Sequence, residues 1–122
     1  MADERIPSLN RRTLDNGAVM VELHGDLDAH GVREIESAFG VALSDRTQRT
    51  LIDLSQVSFL GSAALAMLAA HGQFARRAGG LFLLAAAQPR VADVISQSGF
   101  MEVLSYFPTV DEALASLSPK AS

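Results

Sequence analysis

Residues 81–87 are seven consecutive apolar side chains, with Gly79-Gly80 before them and Pro89 just after. The run is far shorter than the ~20 residues a membrane helix needs. Glycine and proline at its ends argue for a strand and against a buried helix. A strand with no polar face must be covered on both sides, as happens in parallel sheets. Parallel neighbours need long crossovers, usually helices, so this one segment points to the α/β class.

The rest of the chain supplies matching elements. Val19, Val21 and Leu23 alternate with Met20, Glu22 and His24, the period of a strand with one buried face. This strand runs to the turn residues Gly25-Asp26-Leu27-Asp28. A shorter strand near residues 8–14 precedes it. Asp15-Asn16-Gly17 joins the two as a hairpin, because Asn and Gly tolerate positive φ. Residues 29–44 show helical spacing, with Val32, Ile35, Phe39, Ala42 and Leu43 on the apolar stripe and Arg33, Glu34 and Glu36 off it. Residues 50–54 read as a short buried strand and residues 55–61 as a loop. Residues 62–78 read as a helix buried through Leu65, Leu68, Ala69, Gly72 and Ala75. Arg76 and Arg77 suit the negative end of its dipole, and Gly79-Gly80 stops it.

Pro89 opens a third helix at its first turn, with Val91, Val94 and Ile95 facing inward and Ser98-Gly99 ending it. Residues 103–107 read as a last strand. Thr109 and Glu112 match a capping box for a final helix, Val110–Leu117. The predicted order is β-β-α-β-α-β-α-β-α. It gives a mostly parallel mixed sheet with an N-terminal hairpin and about four helices. One domain is expected over residues 8–118, with flexible termini at 1–7 and 119–122.

Composition narrows the chemistry. The 122-residue chain carries a net charge of −4 and no cysteine. It offers no thiolate metal site or disulfide framework, and a domain of this length can build a sufficient core without one. No basic stripe suggests nucleic-acid binding. The opening Met1-Ala2-Asp3-Glu4-Arg5 lacks the basic and then apolar order of a secretory signal. A cytoplasmic protein without membrane insertion is expected. His24, His30 and His71 show no metal-ligand spacing and read as surface or filler residues. No nucleophile elbow, P-loop or dinucleotide fingerprint occurs. No catalytic residue, metal or cofactor is therefore expected. Asp53 sits in an apolar strand, like the acceptor of a receiver domain. The acidic pair and lysine that such a site requires are missing, so Asp53 reads as a structural acid bonded to backbone at a strand end.

The segment with functional content runs Asp53-Leu54-Ser55-Gln56-Val57-Ser58-Phe59-Leu60-Gly61-Ser62-Ala63-Ala64-Leu65. It leads from a buried strand into a helix, with Ser62 at the helix start. Free N–H groups and the positive dipole end favour a phosphate there. A plain N-cap serine, contributing ~1 kcal/mol, fits the same position.

This segment resembles the signature of STAS domains, D-L-S-x-V-x-F-x-D-S-x-G-L, and Gly25-Asp26-Leu27-Asp28 resembles their G-E-L-D. The element order, Gly99-Phe100 and the terminal helix fit as well. The resemblance implies the STAS-like fold and an anti-sigma-factor antagonist. Such a protein binds an anti-sigma factor with serine kinase activity, is switched off by phosphorylation and is reset by a phosphatase. Carried over by position, Ser62 is the acceptor, with Ser58 as fallback and Ser55 after it. Partner binding falls to Asp26, Asp28, Gly61, Ser62 and Ala63, and to the exposed face of the 62–78 helix. Gly61 departs from the family's acid, and Ala63-Ala64 from its small residue and glycine. The alternative is a constitutive interaction subunit of a lipid-transport ABC system or a stress-signalling scaffold. A monomer or weak dimer is expected. Met67, Phe74 and Met101 are candidate exposed apolar positions for an interface.

Overall fold

The computed structural model describes residues 6–100 and 104–117. The strands β1 (Ser8–Thr13), exposed along most of its length, and β2 (Val19–Leu27) pair antiparallel with Thr13 opposite Val19. Gly17 takes φ +84° in the connecting turn, and the Asn16 side chain accepts the Ala18 N–H at 2.9 Å. Parallel strands follow: β3 (Arg49–Leu60), β4 (Leu81–Ala85) and β5 (Ser105–Phe107). The sheet order is β1-β2-β3-β4-β5. Between the strands lie α1 (Ala29–Ala42), α2 (Ser62–Arg77) and α3 (Pro89–Gln97), and α4 (Val110–Leu117) closes the described fold.

The two sheet faces are filled separately. Val19, Val21, Leu23, Ile52, Leu54, Phe82 and Leu84 pack with α1, α2 and α3. Met20, Leu51, Leu83 and Ala85 pack with Ala113 and Leu117 of α4. The apolar run of β4 is thus covered on both sides, as its composition requires. The strand is shorter than the run, however. Leu81 is exposed, and Ala86 turns the chain out at φ +65°. Its N–H is held by the Phe107 carbonyl at 3.1 Å. Gly79, at φ +84°, ends α2, and the Gly80 N–H reaches back to the Ala75 carbonyl at 2.8 Å. Thr109 caps α4 by accepting the Glu112 N–H at 3.1 Å.

The largest departure from the sequence reading concerns residues 55–61. They were expected as a loop, but residues up to Leu60 continue β3. Glu22 pairs with Asp53 but His24 with Gln56, and Gly25 pairs with Val57 but Asp26 with Phe59. At each step β3 carries one residue more than β2, so two bulges break the alternation that would have marked a strand. Asp53 is buried and accepts the Ser55 N–H at 2.9 Å. It does bond to backbone, but at a bulge within the strand and not at the strand's end. Smaller corrections follow the same logic of local geometry. Helix α1 stops at Ala42, with Leu43 as its cap. Val94 is 36% exposed, so α3 is buried through Val91 and Ile95. Met67 and Phe74 are half-buried, not exposed. Met101 and the expected strand start at Val103 lie outside the described residues.

His71 fills the seam between α1 and α2. Its ring stands edge-on to Phe39 at 4.8 Å and to Phe74 at 6.1 Å, while the Arg46 guanidinium lies 4.2 Å from the Phe74 ring centroid. Burial, reinforced by the Arg46 charge, lowers the His71 pKa below the ordinary 6.5. The unfolded chain therefore takes up this proton first, and stability falls as pH drops through 6.5 towards the folded value. Thermal melts between about pH 7.5 and 5.5 should show this loss in wild type. His71→Gln should flatten it, and an unchanged slope in that variant would remove His71 as the cause.

Candidate functional site

Parallel pairing brings two helix starts to one edge of the sheet. Leu27 and Leu60 are register partners at the ends of β2 and β3, and the Gly61 N–H donates to the Leu27 carbonyl at 3.0 Å. Each strand then enters a helix, so the first turns of α1 and α2 lie side by side. Both present the positive end of a helix dipole.

The two starts are capped differently. Asp28 is the N-cap of α1, its Oδ1 accepting the Gly31 N–H at 2.7 Å. The N-cap of α2 is Gly61, and no side chain caps that helix. Ser62 is therefore the first helical residue and not the cap, which corrects the plain N-cap reading. It is exposed, and no side-chain capping bond holds it. A Cβ on Gly61 would lie 3.6 Å from the Asp28 Cα, which shows how near the two caps are. The same Cβ would lie 3.2 Å from Phe59 Cε2. Gly61 has φ −92°, a backbone open to any residue, so an acid there would require only a small shift of the Phe59 ring.

Asp26 and Ser58 form a second polar link at this edge. The exposed Ser58 hydroxyl donates to the Asp26 carboxylate across the β2–β3 pair. Ser58, the fallback acceptor, is thereby tied to a side chain of the neighbouring strand. Ser55 stays with the strand, its carbonyl accepting from Gln88 Nε2 at 3.1 Å. Ala63 is half-buried beside Ser62. The fold thus gathers Asp26, Asp28, Ser58, Gly61, Ser62 and Ala63 on one rim.

Two contributors were not legible in the sequence. Gly31 lets α1 press against β2: a Cβ there would lie 2.1 Å from the Asp26 carbonyl oxygen and 3.1 Å from Pro7 Cγ. Phe59 is 50% exposed at this rim although it sits in an apolar strand. A glycine three residues after the Asp28 cap was the available signal for the first. The second stands at the F of the signature, but nothing in the local pattern signalled its exposure.

Of the histidines, His30 lies in the first turn of α1, and His24 and His71 lie away from the helix starts. His24 Nε2 lies 2.7 Å from Glu22 Oε1, and His30 Nε2 lies 3.6 Å from Glu34 Oε1. Among the described residues, no three His, Asp or Glu side chains converge on a metal position. No helix among them is long and apolar enough to cross a membrane.

The STAS domain family profile matches residues 11–113. The chain is 38% identical over 58 residues to RsfB, an anti-sigma-F factor antagonist of Mycobacterium tuberculosis, a stretch covering 48% of each protein. The match thus spans about half the length of RsfB. It is 32% identical over 111 residues to Rv2638 of the same species, named as an anti-anti-sigma factor, covering 85% of this chain and 73% of that protein. A crystal structure of an anti-sigma factor antagonist from Mycobacterium paratuberculosis superposes with a TM-score of 0.83 at 27% identity, covering 96% of this chain and 98% of that one. With the signature at Asp53–Leu65 carried on this topology and the profile spanning most of its length, the chain belongs to the STAS domain family.

Proposed function

We propose that this chain is an anti-sigma-factor antagonist that binds a kinase-type anti-sigma factor and is released by phosphorylation of Ser62. The observation that carries the reading is the exposed Ser62 at the uncapped start of α2, beside the start of α1. No capping bond must break for its hydroxyl to react. In the transfer, Ser62 Oγ forms a bond to the γ-phosphorus of ATP held by the partner kinase. The bond to the bridging oxygen breaks, ADP leaves, and the serine proton passes to a base of the kinase. The chain is then a substrate in that reaction, not its catalyst, and a phosphatase would reverse it by hydrolysis in the cytoplasm.

A phosphate adds about −1.5 to −2 charges at this tip. The adjoining helix starts stabilise it within the antagonist. A partner seated on Asp26, Asp28, Gly61, Ser62 and Ala63 would instead meet a bulky, hydrated anion inside the interface. With glycine at position 61 there is one carboxylate fewer near the phosphate, so the modified form suffers less internal repulsion. Ser58 is a poorer acceptor, since its hydroxyl is already committed to Asp26.

Ser62→Glu is expected to weaken binding to the anti-sigma factor about 100-fold, or about 3 kcal/mol. Ser62→Ala should bind as wild type but no longer dissociate when ATP is added. Calorimetric titration of the three forms checks this. Equal affinities, with a transporter or scaffold subunit as the protein bound, would establish a constitutive interaction module instead.

A further inference from the structure

Phe59 is the one aromatic ring among the exposed large apolar side chains of the described residues. Its exposure is produced by the fold. The second bulge of β3 falls between Val57 and Phe59, so that Asp26 faces Phe59 where regular pairing would bring Ser58. Val57 and Leu60 remain buried while Ser58 and Phe59 both face water. A bulge of this kind re-aims a side chain, at the expense of regular strand pairing. The ring lies beside Gly61, with Cε2 3.2 Å from where a Cβ would be. Asp26 is its register partner, and the Asp28 Cα would lie 3.6 Å from the same Cβ.

We infer, on the antagonist reading proposed above, that Phe59 is the anchor by which the anti-sigma factor grips this rim. The anti-sigma factor would present an apolar pocket for the ring, flanked by arginine or lysine that meets Asp26 and Asp28. A half-exposed aromatic beside two carboxylates matches that chemistry. Buried on binding, such rings dominate interface energetics, while charged rims set association rate and salt dependence.

The test titrates wild type, Phe59→Ala, Phe59→Leu and Asp26→Asn against each purified kinase-type anti-sigma factor of the host, alongside thermal melts. Phe59→Ala should bind about 30-fold more weakly or worse, chiefly through faster dissociation, with little change in melting. Should Phe59→Ala melt early, Phe59→Leu keeps a comparable apolar volume for the fold and must still show the affinity loss. Asp26→Asn retains an acceptor for Ser58 and should slow association and flatten its salt dependence. Phe59 variants within about threefold of wild type would overturn the anchor while leaving Ser62 control intact. Wild type that binds none of these anti-sigma factors would overturn the antagonist reading and the anchor together.

Discussion

Gly31→Ala is expected to destabilise the protein by about 3 kcal/mol and to lower its melting temperature by roughly 10 °C. Helix propensity alone argues the other way, since alanine exceeds glycine by ~1 kcal/mol within a helix. The contact decides the sign. The new methyl would sit 2.1 Å from the Asp26 carbonyl oxygen, a backbone atom near the end of the paired strand β2, and 3.1 Å from Pro7 Cγ. Neither α1 nor β2 can yield without breaking packing. The first turn of α1 should move outward, carrying the Asp28 cap with it, so partner binding should fall along with stability. Gly40, on the same helix, supplies the control. No atom lies within 4 Å of its would-be Cβ, and Gly40→Ala should stabilise the fold by up to ~1 kcal/mol. Denaturant unfolding of both variants tests the contrast. Equal and opposite-to-expected shifts would show that the α1–β2 contact is not as close as described.

Phe39→Ala should cost about 3–5 kcal/mol, the largest effect of a single truncation in the α1–α2 seam. Phe39 is fully buried and its ring backs directly onto His71. Removing it leaves a cavity between two helices that are each pinned to the sheet, so collapse can recover little of the lost contact. It also opens His71 to water, which weakens the main cause of its lowered pKa. The variant should therefore lose stability at neutral pH and also lose part of the pH dependence seen in wild type. Melts across the same pH range separate the two effects, and a variant with wild-type stability would contradict the packing of this seam.

Helix α2 and strand β4 were legible because their signals are local. The stripe Leu65, Leu68, Ala69, Gly72 and Ala75 is buried as its spacing implies. The run from Phe82 to Ala85 is buried on both faces because it has no polar side to expose. The N-terminal hairpin was legible from Asn16-Gly17 for the same reason: the turn needs a backbone that few residues supply. The reading failed where pairing across strands took over. Bulges in β3 arise from its register with β2, which no window of one strand contains, and they turned an expected loop into strand.

The candidate rim divides in the same way. Sequence by itself determined that Ser62 begins a helix, because helix-start preferences act over a few residues; residues 25–27, expected as turn residues, instead continue β2 up to the Asp28 cap. Sequence also carried the family resemblance, since that signature is contiguous. Only the tertiary structure decided that Gly61 and not Ser62 is the cap, that Ser58 is tied to Asp26, and that Phe59 faces water. Those outcomes depend on how far β3 slides along β2 and how closely α1 approaches it. Register and close approach are set by the packing of the whole sheet, and no short stretch of residues encodes them alone.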